Sequence, residues 1–335
     1  MKKYLATALA LAGIIACNKV ENVGPQPNAA IGFADSFVEI KTRAAADPSI
    51  TTESIKEFSV WGFMDDTKAA VFNGQTVSKN NDGTWSYENL QYWLPSHTYY
   101  FGAIAPVGHQ DITVDTSGAN QYGLGKVAFT NTDGSVDLIY ASKEVTTSDD
   151  VINDAPGKVQ LQFAHLLSKV KFTFTNGFTT ENTTLKVENI TMTAPKAGEI
   201  NLAQEDWWTN NAWVVTTEGL VLDFGDVNGG NALTATQTAE CETERLTIPD
   251  DETRTYTIKF DVSLYVGTYE TPAYTVTREV ELTKQALKIG KNYNFKTVIG
   301  PKNIHPDGPL KPIEFEVIEV KEWIEDTALA LPLAK

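Results

Sequence analysis

Residues 158–176 read KVQLQFAHLLSKVKFTFTN, and the parity of their apolar positions decides how the whole chain is read. Val159, Leu161 and Phe163 fall on odd numbers between Gln160 and Gln162, whereas Leu166, Val170, Phe172 and Phe174 fall on even numbers against Lys169, Lys171 and Thr173. Both halves alternate with the period of a β-strand, whose side chains change face at every residue. The phase jumps across Ala164, His165, Leu166 and Leu167, so one straight strand cannot bury both apolar sets on one side. A bulge would account for the jump, as would a crossing from one β-domain to the next. The near-central position of the break favours the crossing.

Outward from this stretch, short apolar runs bounded by turn chemistry continue in both directions. Phe58–Phe63, Trp85 and Tyr87 after Asn80-Asn81-Asp82-Gly83, and Tyr99–Ile104 read as strands, with a second Asp-Gly signal at Asp133-Gly134. Pro95, Pro106 and Pro156 fall between runs, as strands require. Downstream, the segments Leu185–Met192, Trp213–Thr217, Tyr256–Val266, Tyr274–Leu282 and Asn292–Ile299 are strand candidates. The clearest alternation is Ile258, Phe260, Val262 and Leu264 against Lys259, Asp261 and Ser263. A sustained helical stripe is missing; only Glu88–Trp93 and Ala232–Ala239 have room for a turn or two of helix. The fold class expected is therefore all-β, as two antiparallel β-sandwich domains in tandem, over residues 44–163 and 164–300. Before them lie a leader at 1–17 and a tether with an N-terminal strand at 18–43, and after them a proline-rich linker with a last strand region at 301–335.

The 335 residues are 42% apolar, enough to bury cores of that size. A formal charge of −16 argues against a nucleic-acid partner, whose affinity comes from phosphate neutralisation. Met-Lys-Lys, the apolar run Tyr4–Ala16 and Ile14-Ile15-Ala16-Cys17 read as a signal peptide ending in a lipobox, the run being shorter than the roughly 20 residues of a membrane-spanning helix. Cys17 is thus the expected lipid attachment site and implies an outer-membrane lipoprotein; the alternative is a Cys that merely follows an ordinary signal peptide. Only Cys241 remains, so no internal disulfide is expected.

Catalytic and metal-binding patterns are missing. His97, His109, His165 and His305 are scattered with no second His or Cys at ligand spacing, and the nucleophile-elbow, Walker A and dinucleotide glycine patterns do not occur, so no enzyme, cofactor or metal is expected. His165, at the phase break, is expected as a partly buried imidazole bonded to backbone. Asp65-Asp66, Asp149-Asp150 and Asp250-Asp251 suit solvated turns better than a calcium loop, and Asn182-Thr183-Thr184 matches a glycosylation sequon. Trp207, Trp208 and Trp213 beside Asn210 and Asn211 form either an aromatic surface for a sugar or a hydrophobic hairpin over a sandwich end or subunit contact, the second being the simpler.

Val159–Phe172 resembles the domain junction of the fimbrillin family, the lipoprotein subunits of type V pili. Lys41-Thr42-Arg43-Ala44, Tyr92-Trp93-Leu94-Pro95, Asp137-Leu138-Ile139-Tyr140-Ala141 and Gly290-Lys291-Asn292-Tyr293 agree with the family in order along the chain. The resemblance implies transthyretin-like domains and partnership with other pilin subunits in a homo- or heteropolymer at the cell surface. It also implies a trypsin-like processing protease acting between Arg43 and Ala44, and assembly by exchange of strands. Removal of Ala29–Thr42, which carries Ile31 and Phe33, would bare an edge for a strand from another chain. Ile313, Phe315 and Val317, or Leu329, Leu331 and Leu333, offer apolar side chains at period two as donors. The alternative is that the tail closes its own sandwich. A different class of function, a monomeric surface lipoprotein binding a host or other glycan, is distinguished by having no need of a removable strand.

Overall fold

The computed structural model describes residues 29–34, 49–65, 69–208, 213–250, 254–283, 285–304 and 313–322. The first half supplies β1 (Glu57–Met64), β2 (Ala69–Lys79), β3 (Trp85–Ser86), β4 (Thr98–Ala105), β5 (Ile112–Asp115), β6 (Lys126–Thr130), β7 (Ile139–Thr146) and β8 (Ala164–His165). The second half supplies β9 (Ser168–Asn176), β10 (Thr183–Ala194), β11 (Ala197–Asn201), β12 (Trp213–Thr217), β13 (Leu220–Gly225) and β14 (Thr238–Glu240). It continues with β15 (Arg245–Thr247), β16 (Tyr256–Val266), β17 (Tyr274–Leu282), β18 (Lys291–Ile299) and β19 (Glu316–Glu322). Several expected strands recur with the same limits, and Asp82-Gly83 makes the expected turn between β2 and β3, with Gly83 at φ +86°. Residues 88–93 and 232–239 form no helix; Tyr92 and Leu233 enter β-bridges instead.

The strands form four sheets. The first runs β3-β2-β1-β4-β7-β8, the second β12-β11-β6-β5, the third β13-β10-β16-β17 and the fourth β14-β9-β18-β19 with β15 also on β9. Pairing is antiparallel except between β9 and β18, which run parallel, so the expected sandwich carries one parallel seam. Three cores result. Phe58, Val60, Tyr99, Phe101 and Ala103 on one face of the first sheet build the first core, and Ile104 and Tyr140 on its other face meet Val127, Phe129 and Ile200 of the second sheet in a middle core. The third and fourth sheets enclose the last core around Phe172, Phe174, Phe224, Phe260 and Phe295.

Residues 158–176 thread all three. Val159, Leu161 and Phe163 enter the first core, Leu166 and Leu167 the middle one, and Val170, Phe172 and Phe174 the last. The phase jump is thus a passage from core to core, each buried side chain of this size contributing about 1.5–3 kcal/mol as an upper bound. The hairpin β11–β12 then returns across the expected division at residue 164, because β11 pairs with β6. Ala197–Asn201 was not among the expected strands, and its pairing with β6 is chosen by tertiary packing.

Candidate assembly groove at the first core

The first core is closed on its outer side by extended segments joined through isolated bridges. Ala30 bridges Tyr92 antiparallel and Phe33 bridges Val159 in parallel, so Ala29–Ala34 lies between the two. Four backbone bonds hold it: Ile31 N–H donates to the Gln91 carbonyl (2.8 Å), Trp93 N–H to Ala29 (3.0 Å), Val159 N–H to Gly32 (2.7 Å) and Ala34 N–H to Val159 (3.0 Å). The Tyr87 hydroxyl adds a bond to the Ile31 carbonyl (2.7 Å). Strand alternation turns Ile31 and Phe33 inward, to 1% and 2% exposure. The Phe33 ring meets Phe58, Phe72, Tyr87 and Phe101 at centroid distances of 5.7, 5.9, 5.8 and 6.3 Å, edge to face. If the segment left, a hydrophobic slot would open between two rows of backbone groups, the chemistry of an edge that accepts another strand.

Arg43 and Ala44 lie outside the described residues, as does Cys17. The chain resumes at Ser49 and is fastened at once. Ile50 N–H donates to Asp137 Oδ2 (2.7 Å), and the same oxygen is 2.8 Å from His165 Nδ1, in a pair whose side chains are 0% and 1% exposed. Lys169 Nζ donates to Ser49 Oγ (3.3 Å) and faces Glu244 Oε2 at 3.2 Å, again buried. His165 is therefore more deeply buried than expected, and a carboxylate is its partner where backbone was anticipated. Asp137, Lys169, Glu244 and Ser49 were not foreseen as a unit. Lys169, the second residue of β9, carried no signal of this in the sequence, since it falls on the strand's polar parity.

At the other end, Ile313 and Phe315, anticipated as donor side chains, pack into this chain's own last core. Ile313 is 6% exposed, and the Phe315 ring lies 5.6 Å from Phe172 and 5.7 Å from Phe174. Val317 lies in β19, opposite Phe295 of β18 as the outermost strand of the fourth sheet. Leu329, Leu331 and Leu333 lie outside the described residues.

Trp207 and Trp213 are 3% and 7% exposed in the middle core, and the Trp213 indole N–H donates to the Leu166 carbonyl (2.8 Å), so these two indoles are core side chains. Trp208 packs edge-on against Trp207 with a centroid distance of 5.6 Å. All three indoles belong to the cluster that holds Val127 and Phe129 of β6 and Ile200 of β11. Of the acidic turns, Asp65 is bonded by Thr98 N–H and His97, which hold its carboxyl below the usual range, and Asp150 is likewise lowered by Asn153. Among the described residues no three His, Cys, Asp or Glu side chains gather as a metal site, and no helix is long and apolar enough to cross a membrane.

The fold is that of fimbrial β-proteins. It is similar to a fimbrial protein from Bacteroides vulgatus, with a TM-score of 0.58 at 15% identity over 89% of this chain and 100% of that one. A cell-adhesion protein from Bacteroides uniformis also aligns, with a TM-score of 0.47 at 17% identity over 88% of this chain and 99% of that one. No curated protein matches. The profile of the fimbrillin-like family matches residues 42–309, and the chain belongs to that family.

Proposed function

We propose that this chain is a non-enzymatic subunit of a cell-surface pilus, delivered to the outer membrane as a lipoprotein on Cys17, cut between Arg43 and Ala44 and polymerised by strand exchange. The observation that carries the proposal is the seating of Ala29–Ala34: a short strand with two inward side chains fills the first core, and among the described residues it is held by backbone bonds, one tyrosine hydroxyl and apolar contact. Ser49 and Ile50, fastened at the junction of the cores, would keep the mature chain in place while the segment before them departs.

The incoming strand comes from the tail of a neighbouring subunit. Since Ile313 and Phe315 serve their own core, the donor side chains are Leu329, Leu331 and Leu333, which reproduce the spacing of Ile31 and Phe33. The test is N-terminal sequencing of purified surface fibres with a parallel deletion of 327–335. Fibre subunits are expected to begin at Ala44, and the deletion is expected to leave a folded, cleavable monomer that does not polymerise. Assembled subunits that begin at Cys17, or normal fibres without the tail, would refute the proposal.

A further inference from the structure

The first sheet is covered only in part on the face it turns to the middle core. Across β1, β4 and β7 the register places Trp61, Gly102 and Ser142 in one row and Phe63, Tyr100 and Glu144 in the next. Leu124 sits on the first row so closely that a Cβ on Gly102 would lie 2.4 Å from its Cγ. In the next row, Phe63 and Tyr100 line an open cleft of about 360 Å³. This lies within the range of small-molecule sites, about 300–1,000 Å³.

One wall is the turn Asn120–Gly123, and it is built rather than loose. Asn120 and Gly123 exchange backbone bonds of 3.0 and 3.2 Å. The Asn120 side chain accepts from Tyr122 N–H (2.9 Å) and donates to the Ala203 carbonyl (3.1 Å). Gly123 is pressed against the segment after β11, where a Cβ would meet the Leu202 carbonyl oxygen at 2.1 Å. The wall thus presents Gln121 and Tyr122 to the cleft in a fixed frame.

The lining selects a ligand by its chemistry. Three aromatic rings, Phe63, Tyr100 and Tyr122, stand with the polar groups of Gln121, Ser142 and Glu144. Lys143 and Glu144 are opposite in sign, so neither a phosphate nor a cation is favoured, and the net charge of −16 adds no attraction for anions. The floor strands β1 and β4 are paired on both sides and offer the cleft their side chains, while β7 is paired on its outer side only at Ile139 and Tyr140. From β1 to β7 the floor spans two strand spacings, about 10 Å.

We propose that this cleft binds a neutral saccharide unit, with the C–H face of a pyranose on the aromatic rings and its hydroxyls bonded to Glu144, Ser142 and Gln121. A chair whose axial C–H groups make one apolar face, with hydroxyls around its rim, matches aromatics flanked by an amide, a hydroxyl and a carboxylate. This adds a ligand to the chain and does not depend on the pilus assignment.

Saturation-transfer NMR on the full chain, with maltose, cellobiose, lactose, mannobiose and N,N′-diacetylchitobiose each in turn, tests it. At least one sugar is expected to give ring-proton transfer. The exposed-site variant Glu144→Gln is expected to weaken that binding about tenfold through loss of a charge-assisted bond, with Tyr122→Ala weakening it too and Glu279→Gln, on the distant β17, leaving it unchanged. Unchanged thermal unfolding identifies Glu144→Gln as a binding variant rather than a folding one. Absence of transfer from all five sugars, or transfer that Glu144→Gln leaves at full strength, would overturn the proposal.

Discussion

Replacing Phe33 by alanine tests whether Ala29–Ala34 is part of the first core in solution. The ring is 2% exposed and in edge contact with four aromatic neighbours, so truncation leaves a cavity where each neighbour loses a partner. A buried Phe→Ala costs about 3–5 kcal/mol, and aromatic pairs add about 0.5–1.5 kcal/mol each beyond their area, which places this site near 5 kcal/mol. Urea unfolding followed by tryptophan fluorescence reads it, since Trp93 stacks edge-on with Tyr99 in the same core. With a slope of about 2–3 kcal/mol per molar urea, the midpoint of the transition reporting the first core should fall by about 2 M. The last core is a separate cluster that does not include Phe33 and holds no tryptophan among the described residues, so its transition, followed by near-UV circular dichroism of its tyrosines and phenylalanines, should stay where it is. A loss below about 1 kcal/mol would show that the segment does not fill the core, and the assembly groove would go with it.

Lys169→Met should cost about 3 kcal/mol in the same assay, because it leaves Glu244 buried with only Lys171, 3.6 Å away, to balance it; a neutral outcome would mean that Glu244 reaches solvent. Burial pushes the Cys241 thiol up to about 11. At pH 8 only about one molecule in a thousand then carries the thiolate, so iodoacetamide should label half-buried Cys241 on unfolding and hardly at all before; rapid labelling of the native chain would contradict the raised value. Asp65 has its carboxyl lowered first by Thr98 N–H and then by His97. Its contribution is therefore complete above the ordinary value of 3.8 and lost as pH falls through the lowered one. Asp65→Asn should flatten the decline of the urea midpoint with falling pH in that acid range, and an unchanged slope would rule the contact out.

The sequence carried the strands far better than their partners. Trp213–Thr217, Tyr256–Val266 and Tyr274–Leu282 have the same limits in the structure as in the alternation, because burial of one face fixes period two directly. The phase jump at residues 164–167 correctly marks a change of surroundings. That the chain enters three cores in succession was hidden, since alternation says which side is dry and not what covers it. Asp133-Gly134 shows the same limit: Gly134 has the expected φ of +75°, yet the turn joins β6 to β7 of a different sheet instead of closing a hairpin. Lys169 belongs to the polar parity of β9 and reads as solvated. It is buried because Glu244 and Ser49, distant in sequence, arrive over it. The groove was legible through Ile31 and Phe33, whose spacing marks a strand. The saccharide cleft was not, because its floor comes from a register across β1, β4 and β7 that no single segment encodes.

The parallel seam between β9 and β18 constrains the order in which the molecule can form. Thr173 and Asn294, whose side chains bond across it at 2.8 Å, are 121 residues apart, and the whole third sheet lies between them in the chain. Closing so long a loop loses entropy before any pairing rewards it, and folds dominated by such contacts form slowly. During synthesis β9, which also crosses from the middle core to the last, must wait with one flank open until residues 291–299 exist. Over more than a third of the chain's synthesis, from β9 to β18, an apolar strand therefore has one flank unpaired, and shielding that flank guards against the misassembly that open strand edges invite.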